Sequence, residues 1–263
     1  MDMQIAGAKA FVSGSTQGIG LAIARELLAE GASVLINGRS PERVEVVVAE
    51  LRREFSEAVV DGLAVDFADG AAVRDAASRL EGVDILVNNV GLFGLMPFAD
   101  ITDESWSEYL EVNLMSGVRL SRHVLAGMLA RGRGRIIFVS SESGVNVPSD
   151  MIHYGVTKAA VVALANGLAK LTKGTGVTVN TILGGPTYSE GVAGAVSQVA
   201  AARGLDSADV KAAIIGANQT SLIQRFIEPR EIASLAVYLA SPLSAATNGA
   251  AVRADGGVLT AML

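Results

Sequence analysis

Seven short apolar runs punctuate the chain: AKAFVS (8–13), SVLIN (33–37), VVDGLAV (59–65), DILVNN (84–89), RIIFVS (135–140), GVTVNTI (176–182) and AAVRA (250–254). Apolar on both faces, they have the pattern of parallel strands covered by helices. Between them, apolar residues recur at helical spacing near 18–30, 41–55, 69–80, 103–130, 154–173 and 229–240. SPERV and TDESW read as helix starts. The alternation predicts an α/β chain, a doubly wound parallel sheet of about seven strands in a three-layer αβα arrangement, forming a single domain over 1–263. The rhythm breaks once, at about 184–228, a Gly-, Ala-, Ser- and Thr-rich insertion after the sixth strand. Its position predicts a lid or substrate loop over the carboxyl end of the sheet.

Half the residues are apolar and only 18% are charged, which suits a large buried core. The net charge is -6, and the basic residues are scattered apart from RGRGR (131–135), so nucleic acid is not an expected partner. With no Cys there is no disulfide, thiolate metal site or cysteine nucleophile. His123 and His153 have no partners at metal-ligand spacing and read as packing or surface residues, so no metal is expected. No basic segment leads into an apolar run at the start, and no apolar stretch is long enough to span a bilayer. A cytoplasmic protein with no membrane partner is the expectation.

The first strand runs into SGSTQGIG at the start of a helix. Gly14 permits a tight turn, Gly18 lets a pyrophosphate approach the helix N-terminus, and Gly20 allows helix and strand to pack closely. Ser15, Thr16, Gln17 and Ile19 complete the loop. In a chain with 29 Gly, such spacing arises by chance roughly 0.3 times, so its place between strand and helix carries the reading of a Rossmann-like dinucleotide site. The second strand ends INGRS. An NAD site usually has an acidic residue here for the ribose hydroxyls, but Gly38 holds that position and Arg39 follows it. A guanidinium suits a 2′-phosphate, so NADP(H) is expected over NAD(H), which stays possible.

HYGVTKAA (153–160) sets Tyr154 and Lys158 on one helical face. A chain with 4 Tyr and 5 Lys holds such a pair about 0.08 times by chance. A tyrosine of pKa near 10 is a sluggish acid at neutral pH. A cation about 5 Å away, at an effective dielectric near 20, favours the phenolate by roughly 3 kcal/mol, or about two units. Tyr154 is therefore expected to be drawn down towards working pH.

Together with NNVG (88–91), EVNLMS, VSSESG, VNTILGGPTYSEG (179–191) and PREIASLAVYLAS leading to ADGG, these motifs resemble the short-chain dehydrogenases/reductases over nearly the whole chain, and the 3-oxoacyl-reductase-like group within them. Asn113 lies twenty-eight residues before Ser141 and Ser141 thirteen before Tyr154, matching the family's Asn-Ser-Tyr-Lys tetrad. Ser140 ends the strand run, so the register selects Ser141. The resemblance implies that Tyr154 exchanges a proton with the carbonyl or alcohol oxygen while hydride moves between substrate and nicotinamide. Ser141 would bind the same oxygen, Lys158 the nicotinamide ribose as well, and Asn113 a water linking Lys158 to solvent.

By the same resemblance Asp66 meets the adenine amino group, Asn89 and Gly91 line the adenosine ribose, and Gly185, Thr187 and Ser189 lie where the carboxamide is oriented. Phe93, Met96, Val147, Met151 and Tyr188 fall on the loops expected to surround a partly apolar small-molecule substrate. Ser13, Val90, Gly184 and Ser189 depart from the usual family residues, and none removes a catalytic group. The helix YGVTKAAVVALANGLAKL carries small residues all round, and the family's use of it implies a homotetramer or homodimer. Three rivals stand beside ketone reduction. A 3-oxoacyl-thioester reductase would dock its carrier on a basic residue just before the sixth strand, where Thr175 stands, although Lys173 and RGRGR are near in sequence. A non-catalytic dinucleotide-binding sensor or structural subunit would be signalled by loss of Tyr or Lys. An epimerase or dehydratase usually has a larger C-terminal substrate region than the seven residues after Gly256.

Overall fold

The computed structural model describes residues 1–262, with Ala195 described by its backbone alone. Its elements run β1 (Lys9–Val12), α1 (Gly18–Ala29), β2 (Ser33–Gly38), α2 (Pro41–Glu54), β3 (Val60–Ala64), α3 (Gly70–Ala77), β4 (Ile85–Asn88), α4 (Asp103–Leu110) and α5 (Ser116–Arg131). They continue with β5 (Arg133–Ser141), α6 (Ile152–Lys170), β6 (Gly176–Gly184), α7 (Glu190–Arg203), α8 (Ser207–Ala217), α9 (Pro229–Ala240) and β7 (Ala251–Ala254). The strands form one parallel sheet in the order β3-β2-β1-β4-β5-β6-β7. The order reverses between β1 and β4, so the loops after Val12 and Asn88 part company there and leave a crevice at the carboxyl edge.

Strand side chains alternate between two cores. Val12, Ile36, Val87, Ile137 and Ile182 pack against Ile23, Leu27, Leu51, Ile232 and Ala236 of α1, α2 and α9. Their neighbours Phe11, Leu86, Ile136, Phe138 and Val179 pack against Val73, Leu120, Val124, Met128 and Val161 of α3, α5 and α6. Each large side chain taken fully from water contributes about 1.5–3 kcal/mol. The sheet is thus a two-sided apolar slab that holds its carboxyl-end loops in fixed register.

Two segments differ from the sequence expectation. The periodic stretch 103–130 is not one helix: α4 passes into a π-helical turn, Glu111–Met115, before α5 begins. A π turn inserts one residue into the helical ladder, and a slip of a single residue is too small to stand out in an apolar pattern this long. Residues 184–228 hold two helices, α7 and α8, capped by the side chains of Ser189 and Asp206. Their Ala- and Gly-rich sequences show little contrast between faces, so no stripe announces them. They enclose a small core of Val196, Ala200 and Val210, with Tyr188 and Val192 against it. Among the described residues, no helix is long and apolar enough to cross a membrane.

Candidate active site

The glycine loop is shaped by backbone and by inward hydrogen bonds. Gly14 and Gly18 have φ of 62° and 59°, left-handed values that a side chain would strain. At Gly20 a Cβ would stand 2.3 Å from the Gly14 carbonyl oxygen, so helix and loop can touch only here without one. Ser15 faces the protein: its hydroxyl donates to the Val12 carbonyl and accepts from the Asn37 N–H. The Asn37 side chain accepts from the Gly14 N–H at 2.8 Å and donates to the Leu63 carbonyl at 3.0 Å. Asn89 donates to the carbonyls of Ser13 and Gly14, both at 3.0 Å, so its amide braces the loop. Thr16, Gln17, Gly18 and Ile19 line a cleft of about 520 Å³ that also takes in Asp66, Gly91, Tyr154, Lys158 and Ser189.

At one end of that cleft the position without an acidic residue is crowded by Thr16 of the glycine loop. A Cβ on Gly38 would lie 2.7 Å from Thr16 Cγ2. Arg39 is exposed on the cleft wall and, among the described residues, makes no salt bridge. Arg43, one helical turn on, donates to the Thr16 carbonyl at 3.3 Å and brings a second positive charge to this end. Asp66 accepts from the Ala68 N–H at 2.9 Å.

Tyr154 and Lys158 line the other end, with the remaining members of the expected tetrad, Ser141 and Asn113, close by. β5 runs one residue beyond the predicted strand, to Ser141, and Ser140 and Ser141 face opposite ways: the Ser140 hydroxyl donates to the Lys158 carbonyl at 2.9 Å. The Lys158 ammonium donates to the Val139 carbonyl at 3.0 Å and lies 5.6 Å from the centre of the Tyr154 ring, so the two share a face of α6 as expected. Asn113, in the π turn, is clamped: its Oδ1 accepts from the Leu92 N–H at 2.6 Å, and its Nδ2 donates to the Leu92 carbonyl and to Thr157 Oγ1, each at 3.0 Å. His153 is buried against Tyr109, ring centres 3.8 Å apart, with Trp106 edge-on, and holds the start of α6 by packing.

The expected lowering of the Tyr154 pKa is overturned. Burial pushes the phenol up to about 12, outweighing the lowering influence of the nearby Ser141 hydroxyl, and the Glu142 charge adds to the rise. The same burial pushes Lys158 down to about 8. The sequence estimate set a fully charged ammonium beside a phenol in a polarisable medium. In the folded protein both groups are taken from water, and that cost exceeds what they give each other.

Gly185 follows β6, where a Cβ would strike the Asp255 carbonyl oxygen at 2.5 Å, and Thr187 donates to the Gly185 carbonyl at 2.9 Å. Glu190 reaches back from α7 so that its Oε2 accepts from the Gly18 N–H at 2.7 Å. Phe93 lines the cleft and comes near Gly191, while the Met96 N–H bonds the Asp150 carbonyl and ties that loop to the one holding Val147 and Met151. Tyr188 is placed elsewhere: Lys211 Nζ sits 3.6 Å above its ring, and Phe226 packs at 5.4 Å. A cavity of about 580 Å³ beside Lys211 and Phe226 contains none of the tetrad. The RGRGR arginines lie at the amino end of β5, away from the cleft. Arg131 and Arg133 face Asp84, and Arg135 is buried on the carbonyls of Gly134, Gly176 and Ser241.

Residues 8–229 match the profile of the short chain dehydrogenase family. The chain belongs to that family. This short-chain dehydrogenase is 43% identical over 266 residues to YvrD, an uncharacterized oxidoreductase of Bacillus subtilis (strain 168), with both chains covered in full. It is 31% identical over 261 residues to the 3-oxoacyl-(acyl-carrier-protein) reductase FabG of Vibrio cholerae serotype O1, covering 97% of this chain and 99% of that one. L-Sorbose reductase from Gluconobacter frateurii, complexed with NADPH and L-sorbose, superposes with a TM-score of 0.94 at 32% identity, both chains covered in full.

Sequence reasoning missed several groups that build the short-chain dehydrogenase cleft. Glu142 and Glu190 each stand next to a residue it singled out, and Arg43 lies one turn after Arg39, so adjacency was the available signal. Asn37 and the Val139 carbonyl carried none, because their roles come from strand register.

Proposed function

We propose that this short-chain dehydrogenase interconverts a ketone and a secondary alcohol, with NADP(H) preferred and NAD(H) the weaker alternative. The observation that carries this is convergence: Tyr154 and Lys158 line one end of a crevice whose far wall is a glycine loop with two left-handed glycines, and Ser141 lies beside Tyr154. The loop's bare backbone fits a diphosphate, and Arg39 with Arg43 beside a carboxylate-free position 38 fits a 2′-phosphate. Asp66, Gly91, Thr187 and Ser189 would line the rest of the dinucleotide. NADPH bound in the structural relative supports the same preference.

The bound dinucleotide supplies hydride exchange at the substrate carbon. Tyr154, which burial keeps protonated at neutral pH, gives its proton to the carbonyl oxygen in reduction and takes one back in oxidation. Ser141 hydrogen-bonds that oxygen, and Lys158 offers the charge that steadies the phenolate formed. Asn113 fixes the loop after β4 against α6 and so holds the proton path open to water. Residues 185–228 act as the lid, with Phe93, Met96, Val147 and Met151 around the substrate. The outer face of α6, which exposes Val156 and Ala163, suits a homodimer or homotetramer in the cytoplasm. A 3-oxoacyl thioester is a less supported substrate, since Thr175 stands where a basic carrier-docking residue is expected and Arg135 is buried on backbone carbonyls, although Arg133 stays exposed beside Asp84.

The test is NADPH and NADH oxidation against ketones, aldehydes and 3-oxoacyl thioesters. Turnover of ketones with NADPH ahead of NADH is expected. No turnover of any carbonyl by protein that binds NADPH contradicts the proposal.

A further inference from the structure

Glu142 has no part in the tetrad, yet it sits on it. It follows Ser141 at the carboxyl end of β5 and opens a short 3-10 turn, Glu142–Gly144. Its carboxylate folds back, so that Oε2 accepts from the Ser141 hydroxyl, from the Ser143 N–H at 2.7 Å and from the Ser143 hydroxyl at 3.2 Å. Among the described residues Oε1 has no hydrogen bond and no cation pairs with Glu142, which is part-exposed. The charge is near enough to Tyr154 to oppose ionisation of the phenol.

A serine hydroxyl has a single hydrogen to give. Here it goes to a carboxylate, and an ionised acceptor holds a donor more strongly than a neutral ketone oxygen does. A plain ketone therefore meets a serine whose hydrogen is committed elsewhere. A ketone with a hydroxyl on the adjacent carbon brings its own donor to within reach of both groups. That hydroxyl can take the serine's place on Glu142, and the freed serine hydrogen can turn to the carbonyl.

We propose that Glu142 makes this protein selective for ketones bearing a hydroxyl group next to the carbonyl, the hydroxyl binding Glu142 and releasing Ser141 to the carbonyl oxygen. The inference rests on the reading of the cleft as a ketone reductase. In the reduction the carbonyl carbon gains hydride from NADPH, leaving NADP⁺, and the carbonyl oxygen gains the Tyr154 proton. Glu142 exchanges hydrogen bonds only. A carboxylate next to the carbonyl would be repelled by Glu142 and is excluded on the same grounds.

The test compares kcat/KM for 2-hydroxycyclohexanone and cyclohexanone, with NADPH, in the wild type, Glu142→Ala and Glu142→Gln. The wild type is expected to favour the hydroxyketone by about tenfold or more, and Glu142→Ala to bring the ratio to within about twofold of one, chiefly by speeding cyclohexanone. Glu142→Gln, which keeps the length of the side chain and an acceptor for Ser143, should fall between and guards against a folding defect. Calorimetric binding of both ketones to Tyr154→Phe with NADPH present should show the same preference, lost in Tyr154→Phe/Glu142→Ala. A wild-type ratio near one, or a ratio unchanged in Glu142→Ala, overturns the role of Glu142 and leaves ketone reduction standing. Failure of all three proteins to reduce either ketone while still binding NADPH overturns both readings.

Discussion

Glu190 and Gly18 are joined across the mouth of the cleft: the carboxylate Oε2 accepts from the glycine N–H at 2.7 Å. That N–H begins α1, where the first-turn amides attract anions. A carboxylate from α7 and the diphosphate of a dinucleotide compete for the same donor. Glu190→Ala is expected to tighten NADPH binding about two- to fivefold, the worth of one charge at a helix terminus. Fluorescence titration gives the Kd, and unchanged or weaker binding speaks against the competition.

Coenzyme choice is expected to follow Arg39 and resist a carboxylate at position 38. Losing a charge-assisted bond worth about 1.5–3 kcal/mol, Arg39→Ala should weaken NADPH about 10- to 100-fold and leave NADH nearly unchanged. Gly38→Asp alone should not recruit NADH, because the new Cβ meets Thr16 Cγ2 at 2.7 Å. Binding constants for both coenzymes decide this, and a Gly38→Asp protein that prefers NADH contradicts it.

Burial holds Lys158 down to about 8, against 10.5 for a free lysine. Between those values the unfolded chain binds more protons than the folded one, so stability rises with pH there. The cost of the buried ammonium is thus full below pH 8 and gone by about 10.5. Lys158→Met should gain on the order of 2–3 kcal/mol in urea unfolding at pH 7 and lose that advantage by pH 10.5. Tyr154, raised to about 12, acts in a separate window: it stabilises below pH 10, and that contribution drains away as pH climbs to 12. A gain from Lys158→Met that is constant from pH 7 to 10.5 rules out the linkage.

Asn113 spends both ends of its amide on Leu92 and Thr157. Asn113→Ala leaves the part-buried N–H and carbonyl of Leu92 without these partners and is expected to cost about 1–3 kcal/mol in chemical denaturation. A loss below about 0.5 kcal/mol means that the loop after β4 is held by something else.

The seven strands, the turn of the glycine loop and the shared face of Tyr154 and Lys158 were legible because each rests on a local pattern: a run buried on both faces, a glycine spacing, a Tyr-Lys pair on one helical turn. α7 and α8 were hidden by sequences rich in Ala and Gly, whose helices depend on the lid's own small core. The π turn at Asn113 was hidden because it displaces the apolar pattern by a single residue within a long periodic stretch. The Tyr154 shift was misread because spacing reports how near a charge is, whereas desolvation depends on everything packed around it. Asn37 illustrates the last limit: its service to Gly14 comes from the β1–β2 register, which no stretch of sequence near either residue displays.

The most direct measurement is steady-state reduction of 2-hydroxycyclohexanone by Tyr154→Phe, with the NADPH Kd taken on the same protein. With Tyr154 as the proton donor, kcat/KM falls about 10²–10⁴-fold while the Kd stays within about twofold. Undiminished turnover in the phenylalanine variant would show that the proton comes from another group.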